Sequence, residues 1–393
     1  MKLSQINKLY ISNFLTGLVF WYGIEKLFQR TIGIDAVGVG ILTVITIGFG
    51  LLLDIPSGML ADKWSRKGML ALSAIALATC SVILGSSHSF TSYIIGYFMY
   101  SIYFTFTSGT YQAITYDSLH EQAKASEYSK VNGRAYALFL AGAGVANIMS
   151  GFIAAHFGFR APFYISVIPC LINILIILSL REPVFHKPEL KQKALKQLGG
   201  ALKTISQIHL LSILAIVMSM LSIIEVFKAD FGQLYFLRYI STPQLLGLVW
   251  AIYAFTWAIG GLIAHRLQNR LTLLIVCATL PVIVMSLVDS WPAIILFNVQ
   301  AIAAAALVNQ IETKIQHATP SHLRASVLSV LSSLGRAVAI PASLVLGWAF
   351  RYHGAFYAVR IMGIVAAAVL FFWILSIRQD IINTGSNKHG YEH

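Results

Sequence analysis

Apolar residues fall in long, nearly continuous runs parted by short polar stretches, at 9–30, 36–58, 69–87, 91–116, 130–156, 161–180, 208–236, 244–267, 271–288, 291–313, 323–350 and 354–377. Each approaches the roughly 20 residues a helix needs to cross hydrocarbon, and sustained apolarity at that length favours helix over strand. The pattern predicts twelve transmembrane helices in two six-helix, pseudo-symmetric halves, an all-α membrane protein. On this reading 1–180 is the N-terminal half, 181–207 a cytoplasmic central loop, 208–380 the C-terminal half and 381–393 a disordered polar tail. In the central loop Leu190, Ala194, Leu198, Leu202 and Ile205 recur at helical spacing, with Lys191, Lys193, Lys196 and Lys203 on other faces. Two readings stay open there, a helix lying on anionic lipid and a solvated linker.

Composition turns that pattern into a class. Only 11% of the 393 residues are charged, against about a quarter in a soluble chain, and mean hydropathy is +0.75. Lipid must therefore be the solvent. The net charge of +13 comes from basic residues interleaved between the runs, with no aromatic-studded patch, so no nucleic-acid partner is expected. Their distribution reports orientation instead. With both termini cytoplasmic, nineteen Lys and Arg lie on the cytoplasmic side and four, Arg30, Arg160, Arg238 and Arg351, on the other. MKLSQINKLYISNF leads into the first run without a small-residue cleavage site, which predicts a retained first helix and not a signal peptide; the expected location is a bacterial-type cytoplasmic (inner) membrane. Cys80, Cys170 and Cys277 sit inside apolar runs and read as buried thiols, with no metal-ligand spacing. No HExxH or GxSxG motif occurs, so neither an enzyme, a cofactor nor a metal is expected.

The halves repeat. Ser57–Gly58 to Arg66–Lys67 aligns with Gly260–Gly261 to Asn269–Arg270 at an offset of 203. Gly151 and Gly158 recur as Gly347 and Gly354 at 196, while Gly133-Arg134-Ala135 recurs as Gly335-Arg336-Ala337 at 202. The most specific motif, DIPSGMLADKWSRKGML over 54–70, closes the second run and crosses the following turn. Gly58 permits close helix approach, and Asp62 places a carboxylate at the membrane face, where it can meet a helix N-terminus. This segment resembles the G-x-L-A-D-R-x-G-R-K signature of the major facilitator superfamily, in the variant preceded by an acidic-x-Pro-Ser/Thr-Gly run. It departs from that signature at Lys63 and Ser65, and His265 replaces the acid in the second half. The resemblance implies that Asp62 contacts the start of the eleventh helix, near Ser321 to Ala325. It also implies that Arg66 pairs with Asp117 at the end of the fourth, so that Gly58, Asp62, Arg66 and Asp117 form a cytoplasmic gate.

Ionisable residues inside spans must face a cavity or a partner. Glu25 and Lys26 lie in the far third of span 1, and Glu225 and Lys228 share a face of span 7, with Asp230 rotated away. Arg336, deep in span 11, calls for an acid such as Glu225 or for a substrate carboxylate. Span 4 carries Tyr97, Tyr100, Phe104, Ser108, Tyr111 and Thr115 in helical rhythm beside Gln112, and span 10 carries Asn298, Ala305, Asn309 and Glu312. Such stripes pack helices as readily as they line sites. The resemblance places helices 4 and 10 beside a central cavity, which makes Tyr100, Tyr111, Gln112 and Asn309 lining candidates, joined by Asn13 and Asn147. Gly142, Ala146, Asn147, Ser150 and Gly151 resemble the family's antiport signature of helix 5, without its proline.

The expected function is secondary active transport by alternating access: proton-coupled export of a small hydrophobic or amphiphilic organic solute. Glu25 or Glu225 would carry the proton, with Lys228 and Arg336 as further proton or substrate candidates. Uptake or facilitated transport of a small metabolite by the same fold is the alternative. Expected partners are the solute, protons and membrane lipid, with the protein a monomer.

Overall fold

The computed structural model describes residues 4–183, 194–268, 270–320 and 323–388, apart from the side chains at 55, 58–59, 61–63, 194–198, 325 and 378–388. Every regular element among them is helical. The helices are α1 (Gln5–Gly17), α2 (Glu25–Thr31), α3 (Ala36–Lys63), α4 (Arg66–Ser86), α5 (Phe90–Thr107), α6 (Thr110–His120), α7 (Tyr128–Phe157) and α8 (Ala161–Leu178). After the central connection come α9 (Ala194–Gln207), α10 (His209–Val226), α11 (Gly232–Phe236), α12 (Pro243–Ile263), α13 (Leu271–Leu287), α14 (Ala293–Ala318), α15 (Arg324–His353) and α16 (Ala355–Lys388).

Short polar residues set the helix starts. Ser4 accepts from Asn7 N, Asp35 from Gly38 N, Ser65 from Gly68 N, and Ser89 forms a capping box with Ser92. Each satisfies a backbone N–H that the first turn leaves without an intrahelical acceptor. Gly158 and Gly354 end the two 30-residue helices α7 and α15 with nearly the same backbone, φ 85°, ψ 162° and φ 89°, ψ 166°. That conformation is open to glycine and strained for other residues. It gives the 196-residue offset a structural counterpart.

Among the described residues nine helices are long and apolar enough to cross a membrane, where the sequence predicts twelve. Three runs depart for physical reasons. Run 1 breaks at 18–24 between α1 and α2, and run 4 breaks at Ser108–Gly109, where Gly109 adopts φ 74°. The ninth run yields the 17-residue α13. Run 7 stays continuous but contains a π-helical turn, Phe227–Phe231, between α10 and α11. Large apolar side chains such as Leu52, Phe157, Leu175, Leu287 and Ile364 are more than two-thirds exposed on the protein surface, which suits hydrocarbon and not water. Cys80 and Cys170 are buried as expected, but Cys277 is exposed on α13.

The chain divides into two compact units, Met1–Glu189 with Asp230–Ala258, and Leu190–Ala229 with Ile259–His393. In the first, α4 packs between α5 and α8, while α1 lies on α7 and α8. Small residues allow close approach: a Cβ on Gly17 would lie 2.9 Å from Ala143 N, and one on Gly151 2.6 Å from Gln244 Cα. In the second, α13 packs against α14 and α16, and α10 against α15 and α16. The amphipathic α9 buries Ala201 and Ile205 against α15 and α10, leaving Leu202 and Lys203 exposed. The segment is thus helical, as one of the two readings expects, and its apolar face docks on neighbouring helices. α16 runs on to Lys388, into the tail expected to be disordered. Once nucleated, a helix extends at little cost.

Candidate functional site

The break in run 1 turns the chain so that the short α2 meets the tyrosine face of α5. Glu25, 7% exposed, accepts from Tyr97 Oη at 2.6 Å, Tyr93 Oη at 3.2 Å and Gln29 Nε2 at 3.1 Å through Oε1. Lys26 Nζ donates to its Oε2 at 3.1 Å. Lys26 is 1% exposed, and its ammonium also lies 4.0 Å from Asp230 Oδ1, where run 7 leaves its π turn. Gln233 ties the same elements through the backbone. Its Oε1 accepts from Lys26 N at 3.1 Å and its Nε2 donates to Tyr22 O. These are backbone groups that an unbroken helix would have paired internally. Around them Tyr22 Oη donates to Tyr100 Oη at 3.2 Å, and Trp21 stacks on Phe163. The result is a buried, aromatic-walled ion cluster within the first unit.

The π turn also separates the polar residues of run 7. Lys228, 2% exposed, points into the second unit, where its ammonium donates to Gln300 Oε1 and lies 4.6 Å from the Phe297 ring centroid. Gln300 Nε2 in turn donates to Glu225 Oε1 at 3.4 Å, so Gln300 links the two residues expected on one face. Apolar walls from Ile224, Val282, Met285, Val359 and Met362 enclose the lysine. Arg336 lies in α15, and its neighbour Gly335 abuts Ser222 of α10, about one turn from Glu225.

At the other end of the first unit, Arg66 Nη1 pairs with Asp117 Oδ2. Glu182, just beyond α8, accepts from Ser65 Oγ at 2.6 Å, Arg66 N at 2.8 Å and Lys67 N at 3.0 Å. A carboxylate on free N–H groups complements the positive end of α4. Lys67 and Lys8 donate back to Leu180 O and Ser179 O, carbonyls left open past the end of α8. Gly58 and Asp62 belong to α3, but their side chains, like Ser321, His322 and the Ala325 side chain, lie outside the described residues. Nearby, Gln5, Ser118, Glu121, Gln122 and Arg181 line an open polar recess of about 430 Å³.

The expected lining residues occupy different environments. Gln112 and Asn309 are exposed, and Asn13 and Tyr100 are half-buried. Tyr111 is 7% exposed, its hydroxyl held by Ser12 at 2.7 Å and Thr16 at 2.9 Å. Asn147 is buried where α7 meets Gly23 of the run-1 break and Gly247 of α12, and its Nδ2 donates to Trp250 O at 3.4 Å. Sequence reasoning missed Asp230, Gln233, Gln300 and Glu182. The first and last carried a usable signal as acids in or beside an apolar run, whereas the glutamines matter only through partners far along the chain.

An apolar surface suited to lipid and paired charges inside apolar spans define an integral membrane protein, and its family and the transporters it resembles in fold make it a transporter, not an enzyme. The family model of the Major Facilitator Superfamily matches residues 9–340, and the chain belongs to that superfamily. Its fold is similar to a mutant of the nucleoside transporter NupG (TM-score 0.77, 15% identity, covering 95% of this chain and 100% of that one). It is also similar to a bacterial homolog of the human lysosomal transporter Spinster in its inward-facing and occupied conformation (0.73, 16%, 95% and 96%). A third likeness is to a D-xylose-proton symporter (0.69, 14%, 94% and 96%). At these identities the likeness is one of fold. No curated protein matches the sequence.

Proposed function

We propose that this transporter couples proton movement to export of a small hydrophobic or amphiphilic organic solute across a bacterial-type cytoplasmic membrane, as a monomer with both termini inside. The observation that carries the reading is the buried cluster of Glu25, Lys26 and Asp230. Ionisable groups inside apolar spans cost several kcal/mol by most estimates and persist where they serve a pathway. Glu25 and Glu225 are the acids first indicated by sequence, and Asp230 joins them through Lys26. The small-residue face of α7, with its antiport-like spacing, supports export, and the aromatic walls suit a solute of low charge. The Arg66–Asp117 pair and the Glu182 cap would hold one of the alternating states.

The test uses inside-out vesicles carrying a respiratory pH gradient, read by a pH-sensitive dye, with a panel of lipophilic cations, antibiotics and organic acids. Collapse of the gradient by a compound, absent in vesicles lacking the protein, is the expected result. No response to any compound, with folded protein present, counts against export and turns attention to metabolite uptake.

A further inference from the structure

Glu25, Lys26 and Asp230 place two carboxylates on one ammonium, a cluster of net charge −1 when all three are ionised. In a site enclosed by protein and lipid a single added proton removes that net charge, so the cluster is built to take one. The two carboxylates are unequal. Glu25 accepts from four donors, Tyr93, Tyr97 and Gln29 on Oε1 and Lys26 on Oε2, and each of those bonds would weaken if its charge were removed. Asp230 meets Lys26 at the longer 4.0 Å and otherwise faces the Thr43 hydroxyl, and its side chain is 25% exposed where that of Glu25 is 10% exposed, so it is the less tightly held and less enclosed of the two.

We propose that Asp230 is the residue that accepts the coupling proton, with Lys26 as its counter-ion and Glu25 as the fixed anion that keeps Lys26 charged. This rests on the proton-coupled reading above and names the atom group that performs it. A proton from water forms an O–H bond on the Asp230 carboxylate and cancels its attraction to Lys26. The neutral Glu25–Lys26 pair stays behind, and the charged tie from run 7 to α2 is released. Loss of the proton restores the tie. The charged and titratable groups around Asp230 are Glu25 and Lys26 of α2 and Tyr97 and Tyr100 of α5, with the Thr43 hydroxyl on α3.

The experiment needs no solute. The full chain, reconstituted in phosphatidylethanolamine–phosphatidylglycerol liposomes, is titrated between about pH 4 and pH 9 while infrared difference spectra follow the protonated-carboxyl stretch. Wild type is expected to show a carboxyl band that titrates within this range. Asp230→Asn should abolish it and Asp230→Glu should restore a shifted band. Glu25→Gln should move its midpoint to lower pH, because Lys26 then faces one anion, and Glu225→Gln should leave it in place. Thermal unfolding and monodispersity report whether each variant folds, and Asp230→Glu keeps the test open if Asp230→Asn does not. A band that survives Asp230→Asn and vanishes in Glu25→Gln or Glu225→Gln overturns the assignment and leaves proton coupling standing. No such band in wild type overturns both.

Discussion

Lys26 is the side chain on which most of the interior electrostatics turn, since it is 1% exposed and neutralises the carboxylate beside it. Lys26→Met would leave Glu25 and Asp230 without their cation, and breaking a buried pair from one side costs about 3–5 kcal/mol. Thermal unfolding in detergent should therefore show a large drop, partly recovered in Lys26→Met/Glu25→Gln. Tyr97→Phe removes the 2.6 Å donor to Glu25 and the acceptor of the 3.4 Å bond from Gln29 Nε2, and should cost about 1–3 kcal/mol in the same assay. Much of this was legible in the sequence, because Glu25 and Lys26 are conspicuous inside an apolar run. The role of Asp230 was not. Helical spacing correctly turns it away from Glu225 and Lys228, but spacing says nothing of what waits on the other side.

At the level of elements, close packing and capping hold the first unit together. A methyl on Gly151 would run into the Pro243–Gln244 backbone of α12, which cannot swing aside as a side chain can. Gly151→Ala should cost about 1–3 kcal/mol in thermal unfolding. Gly261→Ala, with nothing within 4 Å, should unfold like wild type. Glu182→Ala strips the α4 N-terminus of three hydrogen bonds and should lower stability by about 1–2 kcal/mol. Serine caps and apolar runs are local features and could be read directly. The break in run 4 falls in the polar stretch Thr107-Ser108-Gly109-Thr110, also a local feature, whereas the break in run 1 was not legible, since apolar composition continues through Leu18 to Ile24. What permits the break in run 1 is partners from elsewhere, such as Gln233 on Tyr22 O and Lys26 N, or Ser166 Oγ on Phe20 N. The same holds for α9, whose amphipathic face fits a membrane surface as well as it fits α15.

For the whole molecule, the nineteen-to-four division of basic residues makes the topology testable. Among the three native cysteines only Cys277 is exposed, so Cys277→Ser provides a quiet background. On it, cysteines replacing Glu121 or Arg266 should react with a membrane-impermeant thiol reagent only from the cytoplasmic side. Cysteines replacing Arg160 or Arg351 should react only from outside. The reverse pattern would invert the orientation. One of the three passages between the two compact units falls between Ala229 and Asp230, inside the π turn, so Lys228 and Asp230 serve different units although they are two residues apart. By itself the sequence determined the solvent, the apolar runs, the helix starts and the family likeness, because each depends on residues within one or two turns of one another. Tertiary structure decided which carboxylate shares Lys26, which glutamine reaches Lys228 and which acid caps α4. Those pairings join residues from dozens to more than two hundred positions apart, and they exist only once the breaks and the π turn have set the register of the helices.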